Sequence, residues 1–121
     1  MTLSLATALV LASATSSVWF TRADSMVHRG VRRHYALYVP AEQDSGVLRP
    51  LVIVLHGGGG DGAKVAALTG FSRLADTAGF IVAYPEAVNR HWNDGRNVRR
   101  FRAQREQVDD VGFVAALIDR L

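Results

Sequence analysis

The sequence predicts an α/β domain. Residues 51–55, Leu-Val-Ile-Val-Leu, form an unbroken apolar run of strand length, and residues 80–84, Phe-Ile-Val-Ala-Tyr, form a second. Between them Val65, Leu68, Phe71, Leu74 and Ala78 recur at three- and four-residue spacing, the period of one helix face. A strand, a helix and a strand in this order have the crossover length a parallel pair needs, and wholly apolar strands suit a sheet covered on both faces.

The chain has 121 residues, enough for one domain. With 49% hydrophobic and 21% charged residues and a mean hydropathy of +0.09, it can bury a core. It has no cysteine, which excludes a disulfide framework, a thiolate metal site and a cysteine nucleophile. Its net charge of +3 is almost wholly arginine. Arg96, Arg99, Arg100, Arg102 and Arg105 crowd one acid-free stretch with Phe101 as the sole aromatic. That reads as a solvated loop, since a nucleic-acid binder would interleave more stacking rings.

The elements follow in order. Residues 3–20 carry no charge, and Leu3 to Leu11 run into Ala12-Ser13-Ala14, a small-x-small triplet of the kind signal peptidases cut. Residues 1–14 are therefore expected to be a removable leader, with cleavage as late as Ala23 as a variant, and the protein to be secreted without a stable membrane anchor. Tyr35, Leu37 and Val39 alternate with polar or small neighbours over residues 33–39 and Pro40 ends the run, which predicts a half-buried outer strand. Residues 41–50 read as a turn. Residues 51–55 are the central-strand candidate. Gly70 is expected to split the following helical stretch, with Thr69 available as a cap and Gly79 closing the second piece. Pro85 ends the strand at 80–84. Residues 89–107 are polar and contain Asn93-Asp94-Gly95, a long loop of the sort that carries function. A last helix starts at Asp109-Asp110, where carboxylates suit the dipole as caps, with Val111, Val114, Ala115, Ile118 and Leu121 as its apolar stripe.

The chemistry gathers where the strand at 51–55 ends, in His56-Gly57-Gly58-Gly59-Gly60. Glycines there let bare N–H groups approach a ligand. An HGGG-type strand end supplies one donor to the oxyanion of an ester intermediate, and the residue after the nucleophile supplies the other. The alternative is a dinucleotide site, since Gly57, Gly59 and Gly62 satisfy GxGxxG and Glu86 could bind a ribose; a basic non-catalytic binding module is another. His56 interrupts the dinucleotide pattern, and Gly62-Ala63-Lys64-Val65 lacks the Gly-Lys-Ser/Thr of a phosphate loop. Ser72 lies in a helical pattern and Ser45 in a turn, so neither reads as a nucleophile. His56 reads as a locally bonded strand-end residue; His28, His34 and His91 show no metal-ligand spacing and are expected to be exposed.

Five blocks in one order carry a resemblance: residues 51–60; Thr69-Gly70-Phe71 with Leu74-Ala75-Asp76; residues 79–85; Trp92-Asn93-Asp94-Gly95-Arg96; and Val108-Asp109-Asp110-Val111-Gly112-Phe113. Together they resemble the amino-terminal half of the polyhydroxybutyrate depolymerase and feruloyl esterase group of α/β-hydrolases. The resemblance implies a partial α/β-hydrolase fold over residues 28–121, a mostly parallel sheet flanked by helices, ending before the nucleophile elbow. It also implies a secreted serine carboxylesterase acting on polyester or polysaccharide-linked acyl groups without cofactor, metal or nucleic acid. Gly57 and Gly58 inherit the oxyanion hole, and His56, Trp92 and Asn93 border the substrate mouth. The group's serine sits on a GxSxG elbow, and these 121 residues contain no such motif. The chain is thus expected to be a fragment, inactive alone, with a complementary carboxy-terminal segment as partner. The strand at 51–55 should then be an exposed edge, where Val54→Lys is expected to raise solubility.

Overall fold

The computed structural model describes residues 19–41 and 46–121; the expected leader and Ser45 lie outside them. Two strands, β1 (Arg22–His28) and β2 (Val31–Tyr38), form a hairpin with His28 opposite Val31. Its two-residue turn has Arg29 at φ 47° and Gly30 at φ 78°, the positive values that match the twist of paired strands. Then come β3 (Leu51–Ile53), helices α1 (Gly62–Thr69) and α2 (Phe71–Ala78), β4 (Ile81–Pro85), the short helix α3 (Arg102–Arg105) and helix α4 (Asp110–Arg120).

The strand order is β1-β2-β4-β3. β3 and β4 pair in parallel, as their crossover requires, but β1/β2 and β2/β4 are antiparallel. The expectation of a mostly parallel sheet is therefore corrected to a mixed, mostly antiparallel one. The cause is the tight hairpin, whose first strand carries Arg22, Asp24 and Ser25 and so hides its pattern. β2, read as an outer strand, lies inside between β1 and β4, while β3 is an edge strand among the described residues, as the resemblance implies for a strand without its second neighbour.

Alternation of side chains divides the core into two layers. Ala36, Val54, Val82 and Tyr84 face Ala66 of α1 and Ala75 of α2. On the opposite face Tyr35, Leu37 and Ala83 meet Phe113 and Leu117 of α4, with Leu51 and Ile53 beside them. Trp19 and Phe20 also pack on the first layer; the Phe20 ring stands edge-on to Tyr84 at 5.5 Å, and the Ser72 hydroxyl donates to Trp19 O at 2.8 Å. The folded body thus reaches back to Trp19, and a cut after Ala23 would remove these residues and the start of β1.

Gly70 separates α1 from α2 at φ 66° and Gly79 closes α2 at φ 75°. Thr69 does not cap α2; its hydroxyl donates backward to Val65 O at 2.7 Å. In α4 the buried positions are Asp110, Phe113 and Leu117. The stripe expected from the sequence lies on another side of the helix: Val111 is 82% exposed, Ile118 52% and Leu121 41%. Phe113 takes the buried side because its ring carries the largest apolar area on the helix and meets Arg33. Val54 is likewise inside at 8% exposure, whereas Leu55 is 50% exposed. A lysine meant to blunt the β3 edge therefore belongs at 55.

Asp109 caps α4 by accepting from Gly112 N at 3.0 Å, and the same carboxylate meets His28 Nε2 at 2.9 Å and Arg29 Nε at 3.0 Å. The hairpin tip is thereby tied to the start of α4. His28 first, then the Gly112 N–H and Arg29, hold the Asp109 carboxyl below its ordinary value of 3.8. A depressed carboxyl stabilises the fold above its unfolded pKa, and this contribution is lost as pH falls through the lower folded value. Asp109→Asn keeps an oxygen for the cap and loses the charge. In urea unfolding the variant should be less stable than the parent near pH 7, and the gap should close in acid as the Asp109 carboxyl protonates. A gap that is the same in acid would contradict the ionic tie. In a second comparison, Val54→Lys should cost on the order of several kcal/mol by burying an unpaired ammonium, whereas Leu55→Lys should leave the melt nearly unchanged and raise solubility. The reverse order in thermal denaturation and sedimentation would overturn this assignment of faces.

Candidate functional site

Past β3 the chain runs through Val54, Leu55 and His56 into the glycines. The backbone donors of that run divide cleanly. Gly59 N–H donates to Arg90 O at 2.8 Å and Gly60 N–H to Gly57 O at 2.9 Å. Those of Gly57 and Gly58 meet no acceptor among the described residues, and both glycines are exposed. Only Gly59 of the four needs glycine for a positive φ, 76°.

His56 is buried, at 3% exposure. Its Nδ1 lies 2.8 Å from Gly57 O, which can only accept, so Nδ1 carries the proton. Nε2 then accepts from Ala87 N–H at 3.2 Å, with Glu86 Oε2 at 3.5 Å. The ring is held in one tautomer by backbone on both sides, the local bonding expected of it. Its own carbonyl accepts from the Trp92 indole N–H at 2.8 Å, and the Trp92 ring lies 5.1 Å from the imidazole.

The loop that delivers Trp92 is anchored by Asp110, Asn93 and Arg90. Asp110 is not a cap. It forms a buried ion pair with Arg33, Nη2 to Oδ1 at 2.6 Å, with side chains only 1% and 8% exposed, and its other oxygen accepts from Asn93 N–H at 2.6 Å. Asn93 turns its side-chain amide inward to Val108 O at 3.0 Å. Arg90 was not singled out from the sequence. Besides accepting from Gly59, it donates from Nε to Gly60 O at 3.1 Å and from Nη2 to Asp61 Oδ2 at 2.6 Å, with its backbone at φ 65°. A left-handed arginine next to a left-handed asparagine, Asn89 at φ 49°, is local strain spent on holding the loop to the glycines. No spacing rule links residues 60 and 90, so no sequence signal could have found this clamp.

The residues predicted to form one site divide between two cavities. His56, Gly57 and Gly58 line a cleft of about 180 Å³ with Gly60, Asp61, Lys64, Val65 and Leu68. Trp92 and Asn93 line another, of about 360 Å³, with Leu55, Asp94, Asp110, Val111 and Val114. His56 and Trp92 bridge the two through their shared hydrogen bond.

The dinucleotide alternative fails on geometry. Glu86 Oε1 accepts from Gly62 N–H at 2.8 Å, and Asp61 accepts from Lys64 N–H at 2.8 Å. Two carboxylates thus occupy the helix start where a pyrophosphate would have to sit. A Cβ on Gly62 would come within 2.8 Å of Glu86 Oε1 and 3.3 Å of Tyr84 Cβ, so this glycine serves close packing. In the arginine stretch Arg96 pairs with Asp94 at 2.7 Å and Arg102 with Glu106 at 2.9 Å, so carboxylates from either side of the stretch meet two of its five arginines. Ser72 is buried, its hydroxyl 2.8 Å from Tyr84 OH, and acts in packing. Of the histidines expected to be exposed, His34 is. His28 is paired to Asp109, and His91 stacks on Phe101 with ring centroids 3.8 Å apart.

The chain is 33% identical over 105 residues to "Putative esterase NocK" of Nocardia uniformis subsp. tsuyamanensis, an alignment covering 84% of this chain and 29% of that protein. The chain therefore spans about a third of the length of this relative. The family described as Esterase PHB depolymerase matches residues 33–118, which include β3, the glycine run, Trp92 and most of α4. The chain belongs to the Esterase PHB depolymerase family.

Proposed function

We propose that this chain forms the oxyanion-hole half of a secreted serine carboxylesterase with a partial α/β-hydrolase fold. Gly57 and Gly58 supply this half's donors, and the serine with the N–H that follows it, the acid and the histidine come from a further segment that adds a strand beside β3. The observation that carries this reading is the pair of unsatisfied N–H groups on adjacent exposed glycines, in a run whose other two N–H groups are consumed internally. Preorganised backbone donors of this kind stabilise the charge that develops on the carbonyl oxygen in acyl transfer. The substrates are esters of polyesters or plant polysaccharides, with no cofactor and no nucleic acid involved. Export follows removal of residues 1–14.

The uncovered apolar surface supports the need for a further segment. Leu55, Val111 and Val114 line the 360 Å³ cavity between the end of β3 and α4, and Ile118 and Leu121 continue it along the helix. In the parallel register Pro50 O accepts from Ile81 N–H and Val54 N–H donates to Ala83 O, so the backbone groups of Leu51, Ile53 and Leu55 face away from β4. A strand laid there would pair with them and cover both apolar rows.

Two preparations test the proposal. The chain alone should not turn over p-nitrophenyl butyrate above a denatured control. A fusion in which residues 33–118 replace the matching stretch of the Nocardia esterase should turn it over, and Gly57→Pro, which removes one donor, should lower its kcat by about 10²- to 10³-fold. Turnover by the chain alone that survives repurification and is abolished by Ser72→Ala would overturn the proposal, as would a fusion indifferent to Gly57→Pro.

A further inference from the structure

We infer that Trp92 is a positioning residue that orients the Gly57 N–H through the carbonyl of His56, an inference resting on the proposed oxyanion role of that N–H. In a trans peptide the C=O and the following N–H point in opposite directions within one plane. A carbonyl held from one side therefore fixes the direction of the N–H on the other.

Both peptides that carry the free donors are held in this way. The His56–Gly57 peptide is pinned by the Trp92 indole on His56 O at 2.8 Å, and the Gly57–Gly58 peptide by His56 Nδ1 at 2.8 Å and Gly60 N at 2.9 Å on Gly57 O. Trp92 lines the 360 Å³ cavity, whereas Gly57 and Gly58 line the cleft against α1. A pull on the carbonyl toward the first thus turns the Gly57 N–H toward the second. Glycine needs such help because, lacking a Cβ, it samples more backbone conformations than any other residue. The second peptide has two anchors. Among the described residues the first has the indole as its one anchor, so the two donors should respond differently when Trp92 is changed.

Trp92→Phe keeps a ring against His56 and removes the N–H. Replacement of tryptophan by benzothienylalanine, in which sulfur takes the place of the indole N–H at nearly the same shape, provides a second test should the Phe variant fold poorly. In the ¹⁵N-labelled chain, the Gly57 amide order parameter should fall from about 0.85 to below about 0.6, while Gly58 stays rigid. In the fusion esterase the same change should lower kcat about tenfold with KM unchanged, the pattern of an interaction made in the transition state. The inference is overturned if Gly57 stays as ordered as Gly58, or loosens without a loss of kcat. If Gly57 loosens and the unsubstituted fusion has no turnover at all, the pinning stands and the esterase reading falls.

Discussion

The Arg33–Asp110 ion pair is the constraint on which the rest of this structure depends. Arg33 comes from the middle of the sheet and Asp110 from the first turn of α4, and both are almost completely withdrawn from water. Taking two charges out of water costs several kcal/mol per ion, and only close contact with further hydrogen bonds repays it. Those bonds are present and each reaches a different element. Arg33 Nη2 also donates to Glu86 O at the end of β4, and Asp110 Oδ2 accepts from Asn93 N–H in the loop. The guanidinium lies over the Phe113 ring with Cζ 4.0 Å from its centroid. Its Nη1 has no hydrogen-bond partner among the described residues, so the aromatic face is its compensation. One ion pair thus joins β2, β4, α4 and the Trp92-Asn93 loop.

From there the connection to the glycines is short. With Asn93 held by Asp110, Trp92 is placed one residue away with its indole on His56 O. Arg90, on the other side of Trp92, clamps Gly59, Gly60 and Asp61. The Asp61 carboxyl that it meets is held below its ordinary 3.8, first by the Lys64 N–H and also by Arg90. The glycine run has little rigidity of its own; it takes its shape from a loop that is itself fastened to the sheet and to α4. The proposed oxyanion donors therefore rest on charge pairing two steps away.

What the sequence made legible and what it left hidden divide along physical lines. The parallel β3/β4 pair, the helix break at Gly70 and the close at Gly79 depend on local periodicity and backbone permissiveness, which sequence carries directly. So does the glycine run itself. β1 was hidden because Arg22, Asp24 and Ser25 dilute its apolar pattern, and Arg29-Gly30 is not one of the usual hairpin pairs. With β1 hidden, the pattern of β2 reads as an outer strand and the sheet as a parallel one. Helix α4 is apolar over more than one stripe, and periodicity cannot say which stripe is buried; it favours Val111 and Ile118, whereas Phe113 and Leu117 are the apolar pair inside. Asp110 resembled a cap because its partner, Arg33, is 77 residues away. Long-range pairing of this kind leaves no mark in spacing, and the candidate site is built largely from it.

A double-mutant cycle on the ion pair tests the central claim most directly. Urea unfolding would be measured for the parent, Arg33→Met, Asp110→Asn and the double variant. Each single change leaves its partner buried and uncompensated and should cost about 3–5 kcal/mol. The double variant should fall short of the summed cost by about 1–3 kcal/mol, the coupling expected of residues in one network. Single costs that simply add would mean that the two side chains act independently and that some other contact holds the loop, the helix and the sheet together.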